Sequence, residues 1–313
     1  MIGSYSISEA LVKELIKNQK RDRFWRNVRF FILLLVIGFI LYHGFRFIQG
    51  PTMTEEEKKK AYVSLVRLDG YIFADSDFSA RNVLPILQDA FSDKGAKGVV
   101  LEINSGGGSP VQAAIIESKI IQLKEKYHKK VVVVGEDLLA SGAYLVAMGA
   151  DKVYANPSSI VGSIGVIMEG FGFPEAIKKI GITRRVYTAG NNKDRLDPFM
   201  PESAADKQKI QALLNETHQQ FIDLVTASRG DRLNGNPEEL FSGDFWTGET
   251  ALKLGMIDGL GNLADVLPKE FNVNYYVDYS EQASLIDYIM KGMRTQLDFM
   301  LTNYHGSPIS AKI

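Results

Sequence analysis

The chain contains no cysteine. Disulfides, thiolate nucleophiles and cysteine-ligated zinc are therefore excluded. The compartment stays open, because an export-exposed chain loses nothing by lacking thiols. Histidine is scarce as well: His43 lies in an apolar run, His128 in a basic turn, His218 in a polar helical segment and His305 in the tail. Histidines so placed are usually solvated or structural, and a Ser-His-Asp triad fits poorly. Neither G-x-S-x-G nor S-x-x-K occurs in the chain, so the common serine-hydrolase signatures fail. A surplus of positive charge is also missing. The formal net charge of -1 gives no reason to expect a nucleic-acid partner.

What is present begins with size and hydrophobicity. The 313 residues are 45% hydrophobic, enough for one large domain plus appendages. In "VRFFILLLVIGFILYHGFRFIQG" an uncharged apolar core runs from Phe30 to Phe45 between Arg29 and Arg46. Flanking arginines can snorkel and extend such a core across a bilayer. A cleaved signal peptide fits less well, since the n-region would be long and no A-x-A site follows in "FRFIQGPTMT". Lys13, Lys17, Lys20, Arg21, Arg23, Arg26 and Arg29 precede the run, whereas Glu55, Glu56 and Glu57 offset Lys58, Lys59 and Lys60 after it. The positive-inside rule then puts the N-terminus in the cytoplasm. The expected organisation is a cytoplasmic basic segment at 1–29, a signal-anchor helix at 30–48, a polar linker at 49–60 and an extracytoplasmic, periplasm-facing domain at 61–313. "SISEALVKELIKNQKRDRFW" reads as a short amphipathic helix on the membrane surface.

In the exported part, strand-like "AYVSLVRLDGYI", "KGVVLEI", "KKVVVVGE" and "DKVYAN" alternate with helical stretches around Leu84–Phe91 and Val111–Tyr127 and after Ser141. This alternation predicts an α/β domain with a largely parallel sheet. After Pro201 the pattern turns helical, with an amphipathic segment from about Ala204 to Ser228. "WTGETALKLGMIDGLG" reads as a second helical unit closed by glycines. Leu285, Ile289, Met293, Leu297 and Leu301 form a C-terminal apolar stripe suited to core or subunit interface. No internal repeat is visible.

The chemistry centres on "EDLLASGAYLVAMGAD". Ser141, set among small residues at a helix start, reads as an N-cap, a packing residue or a nucleophile. Without a histidine base, a lysine is the candidate. A neutral lysine at pH 7 costs roughly 4.6 kcal/mol from its ordinary pKa, and burial beside apolar groups can remove much of that. Lys193 in "YTAGNNKDRLDPF" follows the expected strand "TRRVYT". Two readings stand there: a base folded over the site, or a surface ion pair with Asp194. Gly106, Gly107 and Gly108 lie between a strand and a helix, where backbone N–H groups can converge on an anion. Gly142 would add a donor at a helix N-terminus. A phosphate-binding turn is the rival, but "NSGGGSP" has neither a P-loop lysine nor G-x-G-x-x-G spacing.

Taken in order, "EINSGGGS", "LLASGAYLVAMGAD", "YANPSSIVGSIGVIM", "YTAGNNKDRLDPF" and "WTGETALKLGMIDGLG" resemble successive segments of the signal peptide peptidase A (SppA) family of membrane-anchored serine proteases. The resemblance covers roughly Val63 to Leu267. It implies a ClpP/crotonase-like α/β fold and a Ser/Lys dyad that needs no metal or cofactor. By position it implies Ser141 as nucleophile, Lys193 as general base and Ser163 in "GSIGV" as the serine that orients the lysine. Gly107 matches the oxyanion donor, with Gly108 beside it and the Gly142 amide opposite. The implied partners are signal peptides left in the membrane, the lipid bilayer, and further copies of the chain in a ring whose sites draw serine and lysine from neighbours. One departure is Gly106, where the family usually has proline, and glycine adds backbone freedom there. Ala143, where the family often has glycine, is a second and milder departure. Two other classes compete: a crotonase-type acyl-CoA enzyme, which would need no anchor, and a non-catalytic membrane scaffold of the same fold.

Overall fold

The computed structural model describes Lys17, Gln19, Arg21, residues 23–39 and residues 60–280. They fall in two units, an N-terminal helix and the domain that begins at residue 60. The helix, α1, spans 23–39 and exposes Phe30, Phe31 and Leu35. Among the described residues no helix is long and apolar enough to cross a membrane. The expected span continues to residue 48, outside the described residues. So do most of the expected surface helix, nearly all of the linker and the C-terminal stripe from Leu285.

The domain is built on an eight-stranded sheet. Strand β1 (Tyr62–Asp69) leads through α2 (Ala80–Ser92) to β2 (Ala96–Ser105), then through α3 (Pro110–Tyr127) to β3 (Lys130–Ala140). These strands pair in parallel in the order β1-β2-β3. Buried on both faces, β2 and β3 read as continuous apolar runs, as central parallel strands should. Side chains alternate between two cores. Val66, Leu68, Val99, Leu101, Val131 and Val133 meet the helices, whereas Val63, Leu65, Val100, Val132 and Val134 face the other way.

Strand β3 is long enough to change partners. Its first half pairs with β4 (Lys152–Ala155), and its end pairs with β5 (Ile160–Gly162). Between β3 and β4 lies α4 (Gly142–Ala147), every residue of which is buried. After β5 the backbone runs largely exposed to residue 203, broken by α5 (Pro174–Lys179). The expected strand "TRRVYT" forms no regular element and has no ladder partner among the described residues. Its sequence suits a strand, but a ladder needs a neighbouring backbone.

The long helix α6 (Ala204–Arg229) is capped by Ser203, which accepts from the Asp206 N–H at 3.1 Å. Its C-terminal half docks through Phe221, Val225 and Arg229. Arg229 is buried and chelates Asp258 at 2.7 and 3.1 Å while donating to the Gly255 carbonyl. Next come α7 (Pro237–Leu240), β6 (Phe245–Thr247), α8 (Gly248–Lys253), β7 (Gly259–Leu260), α9 (Leu263–Val266) and β8 (Tyr275–Asp278). The "WTGETALKLGMIDGLG" segment is therefore not a purely helical unit. Trp246 pairs with Val161 and Gly259 with Tyr154, making short strands at either end of α8.

The π-turn Leu267–Phe271 closes the second core. Its Glu270 carboxylate receives Lys130 at 2.5 Å, Lys152 at 3.0 Å and the Tyr154 hydroxyl. Burial pushes this carboxyl up, but the three donors outweigh it and hold the pKa at about 2, against 4.5 ordinarily. A depressed carboxyl stabilises the fold above its unfolded pKa and loses that contribution as pH falls through the folded value. Glu270→Gln is expected to cost about 3 kcal/mol at pH 7. Thermal melts between pH 7 and 3 should show a flatter stability profile for the variant below pH 4.5 than for wild type.

Candidate active site

Five of the six letters of "NSGGGS" have a structural task. Asn104 Oδ1 accepts the Leu138 N–H at 3.1 Å and ties the end of β2 to that of β3. Ser105 Oγ accepts the Gly107 N–H at 3.1 Å. Ser109 caps α3, with Pro110 in the first helical turn, where a missing N–H costs nothing. Between them Gly107 has φ +95° and Gly108 φ +148°, values that L side chains rarely adopt.

A strap from the β1–α2 connection fastens this turn. The Ile72 N–H donates to the Gly107 carbonyl at 2.9 Å, and the Ser109 N–H donates to the Ile72 carbonyl at 2.7 Å. Ile72 is wholly buried, whereas its neighbours Tyr71 and Phe73 are exposed with ring centroids 6.1 Å apart. A methyl group on Gly108 would collide with the Ile72 carbonyl, so the strap and the turn close on each other only through glycine.

Ser141 sits opposite. Its φ of +52° and ψ of -126° lie outside the ordinary allowed regions for a non-glycine residue, a strain of order 1–3 kcal/mol. The surroundings hold it there: its N–H donates to the Gly162 carbonyl at 2.8 Å and its carbonyl accepts from Leu145 at 3.0 Å. Ser141 occupies the N-cap position of α4, but its hydroxyl makes no capping bond. The N-cap reading fails because no helix amide donates to that hydroxyl and the backbone angles are not the extended ones a capping serine adopts. Among the described residues the half-buried hydroxyl has no hydrogen-bond partner.

The two halves meet closely. A Cβ on Gly107 would lie 2.6 Å from the Gly142 nitrogen and 2.7 Å from Ser141 Cβ, and a Cβ on Gly142 would lie 3.3 Å from the Gly108 nitrogen. The Gly107 amide is engaged by Ser105, whereas the Gly108 and Gly142 amides have no acceptor among the described residues. An unpaired hydroxyl thus lies beside two unpaired backbone donors. Beneath them α4 is fixed by Tyr144, whose hydroxyl donates to the Met256 carbonyl at 2.7 Å and whose pKa burial pushes up.

Ser163 follows β5 directly and is a second serine with left-handed backbone, at φ +52°. Its N–H donates to the Asp244 carbonyl at 2.7 Å. Lys193 lies in an exposed turn, its N–H donating to the Gly190 carbonyl at 3.2 Å, and its side chain makes no hydrogen bond or ion pair among the described residues. Neither of its two sequence readings is realised within the chain, since it is neither buried over Ser141 nor paired with Asp194. Sequence reasoning missed Ser105, Ile72 and His218. Ser105 was legible in retrospect as a polar residue in a glycine turn; the other two carry no local signal. Among the described residues no group of three or more histidine, aspartate or glutamate side chains is arranged to hold a metal ion.

Comparison with known proteins gives the same segments a family setting. The pattern of peptidase family S49 matches residues 123–271, a stretch that takes in Ser141, Ser163 and Lys193 and begins after the glycine turn. A Brucella melitensis protein named Na(+)/H(+) antiporter NhaA is 49% identical over 67% of this chain, but the match covers only 29% of that protein. A Synechocystis protein provisionally named a protease is 32% identical over 69% of this chain and 74% of its own length. An Enterococcus faecium protein provisionally named signal peptide peptidase SppA is 29% identical, over 72% of this chain and 67% of its own.

The geometry separates two glycine substitutions. Gly106 has no left-handed φ, a Cβ there meets only Tyr71 and Leu138 at 3.6 and 3.9 Å, and the residue before it already lies in a strand. Gly106→Pro should fold normally, gain about 0.4–1 kcal/mol in thermal unfolding and keep its activity. Gly107→Ala, by contrast, thrusts a methyl group onto the Gly142 amide and should lower hydrolytic turnover by about two orders of magnitude.

Proposed function

From the membership of this chain in peptidase family S49, we propose that it is a serine endopeptidase of ClpP/crotonase-like fold, with Ser141 as nucleophile and Lys193 as general base. The observation that carries the reading is the backbone of Ser141. Strain held at one serine, with its hydroxyl left free beside two free amides, is how acyl-transfer sites are built. In the proposed reaction neutral Lys193 takes the Ser141 proton, and Oγ attacks the peptide carbonyl. The oxyanion rests on the Gly108 and Gly142 amides, with Gly107 shaping the turn through Ser105 rather than donating. Lys193 then protonates the leaving amine and activates the water that hydrolyses the acyl-enzyme. Ser163 orients the lysine.

Lys193 is supplied by a neighbouring copy of the chain. Two observations support this. The stretch from Val166 to Met200 exposes Ile167, Phe171, Ile180, Ile182, Tyr187 and Leu196, apolar side chains that a neighbouring copy would cover. The lysine turn is also anchored to the first turn of α6, where Arg195 meets Asp206 at 2.8 Å, while the Ser163 turn is anchored to α6 at His218. Twelve residues of helix hold those anchors about 18 Å apart.

The substrates are apolar peptides, signal peptides among them. Exposed Tyr71 and Leu138 flank Gly106, with Phe73 beside Tyr71, and offer an apolar lip to the site. The run 30–48 anchors the chain in the cell membrane as a single pass, with the N-terminus in the cytoplasm and the domain outside it. The exposure of Lys193 is also what a non-catalytic scaffold would present, so the test must separate the two.

A fluorophosphonate probe applied to the detergent-solubilised protein, with the modified peptide mapped by mass spectrometry, is expected to label Ser141 and to do so faster as pH rises, because a lysine base must be neutral. Ser141→Ala and Lys193→Ala should each be inert, while the two co-expressed should recover about a quarter of wild-type activity by random pairing of neighbours. Absence of labelling at every pH in assembled protein would instead identify a scaffold. Labelling without complementation would place both residues in one chain.

A further inference from the structure

Ser163 is held in an unfavourable conformation, and its own hydrogen bonds account for only part of that. Its N–H is bound by the Asp244 carbonyl, and its carbonyl accepts from Gly165 at 3.0 Å. A strained residue persists only where its surroundings over-determine it, so the Ile164–Gly165 peptide that closes the turn must also be held. The Ile164 side chain is buried in the main core. Its carbonyl is engaged from outside by His218, whose Nε2 lies 3.0 Å away. A carbonyl can only accept, so Nε2 carries the proton and donates. Nearby, Gly165 packs so tightly on Gly243 that a Cβ would lie 2.9 Å from the Gly243 Cα. His218 is thus the one side chain among the described residues that hydrogen-bonds the backbone of the Ser163–Gly165 turn.

We propose that His218 is a positioning residue, acting through the Ile164 carbonyl to hold the Ser163 hydroxyl where it orients the lysine. The role rests on the reading of Ser163 and Lys193 given above. It assigns a function to a histidine that lies outside every motif in the chain. It also places that function on α6, the helix that carries the Arg195–Asp206 tie to the lysine turn. One helix therefore positions the serine of one site and the lysine turn offered to the next.

The experiment compares His218→Leu, which removes the donor, with His218→Gln, whose Nε2 amide can donate to the same carbonyl. Full-length assembled protein is assayed on a fluorogenic apolar peptide, with Ser141→Ala and Lys193→Ala alongside, and assembly is checked by sedimentation. His218→Leu should lower kcat about ten- to a hundredfold with KM changed less than about twofold, and His218→Gln should restore kcat to within about threefold of wild type. Unchanged kcat in His218→Leu overturns the proposal. So does a His218→Gln variant as slow as His218→Leu, because packing of the ring would then matter and not its N–H. If His218→Leu does not assemble, His218→Phe, which keeps a ring and lacks the donor, is read by the same criteria. Activity surviving in Ser141→Ala or Lys193→Ala would defeat the Ser/Lys reading itself. Inert controls beside an unimpaired His218→Leu would defeat only the positioning role.

Discussion

Gly107 lies against the Ser141–Gly142 peptide at a distance that no side chain could occupy. That approach of one backbone to another determines how the rest of the site is arranged. It requires the glycine turn after β2 to take left-handed φ values at two successive residues. Such a turn gains nothing from local propensity and must be held by bonds. Ser105 holds one amide, Ile72 receives and donates on either side, and Ser109 begins the helix that follows. With the turn so tied, the Gly108 and Gly142 amides are left free and close to each other. The missing proline at position 106 then matters less than it would in an untethered loop, because hydrogen bonds supply part of the stiffness that a ring would have given.

The same logic governs the two serines with positive φ. A strained backbone persists only where its surroundings over-determine it. Ser141 is tied to the β5 carbonyl of Gly162 and to a wholly buried six-residue helix, itself pinned by the Tyr144 hydroxyl. Ser163 is tied to Asp244 and flanked by the carbonyl that His218 binds. Helix α6 has a different kind of anchor at its end. Arg229 is buried with its charge fully met by Asp258 and its remaining donors by Gly255. Removing one member of such a pair leaves an uncompensated charge inside, which costs several kcal/mol. The helix is therefore a firm rod at its C-terminal end, while its first turns lie exposed beside the lysine turn.

Family S49 membership and the α/β architecture account for the central strands and for the segment order around Ser141. Those strands were readable because each is a dense β-branched run bounded by turn residues, and burial on both faces leaves no other use for such a run. Helices α3 and α6 were readable as a helical stretch and an amphipathic segment, and the structure adds their caps at Ser109 and Ser203. The segment "TRRVYT" misled, because propensity speaks for an extended backbone and not for a partner to pair with. The tail of the "WTGETALKLGMIDGLG" unit misled for the converse reason. Two residues, Gly259 and Leu260, carry no strand signal, and they pair only because Tyr154 and Ala155 lie beside them.

The sequence by itself determined which residues are chemically able to serve: a serine among small neighbours, three glycines between a strand and a helix, a second serine after "IVG", and no cysteine or suitably placed histidine to act as nucleophile or base. Composition and spacing suffice for that, since they decide which groups exist and what backbone they permit. The tertiary structure alone decided that the Gly108 and Gly142 amides lie unpaired near each other, that the Ser141 hydroxyl does not cap its helix, that Ile72 straps the turn, and that His218 reaches the carbonyl beside Ser163. Each of these depends on contacts between residues 21 to 54 positions apart, or on the sign of a backbone angle. A hydrogen bond across that separation is set by how strands and helices pack, and no local pattern of residues encodes it.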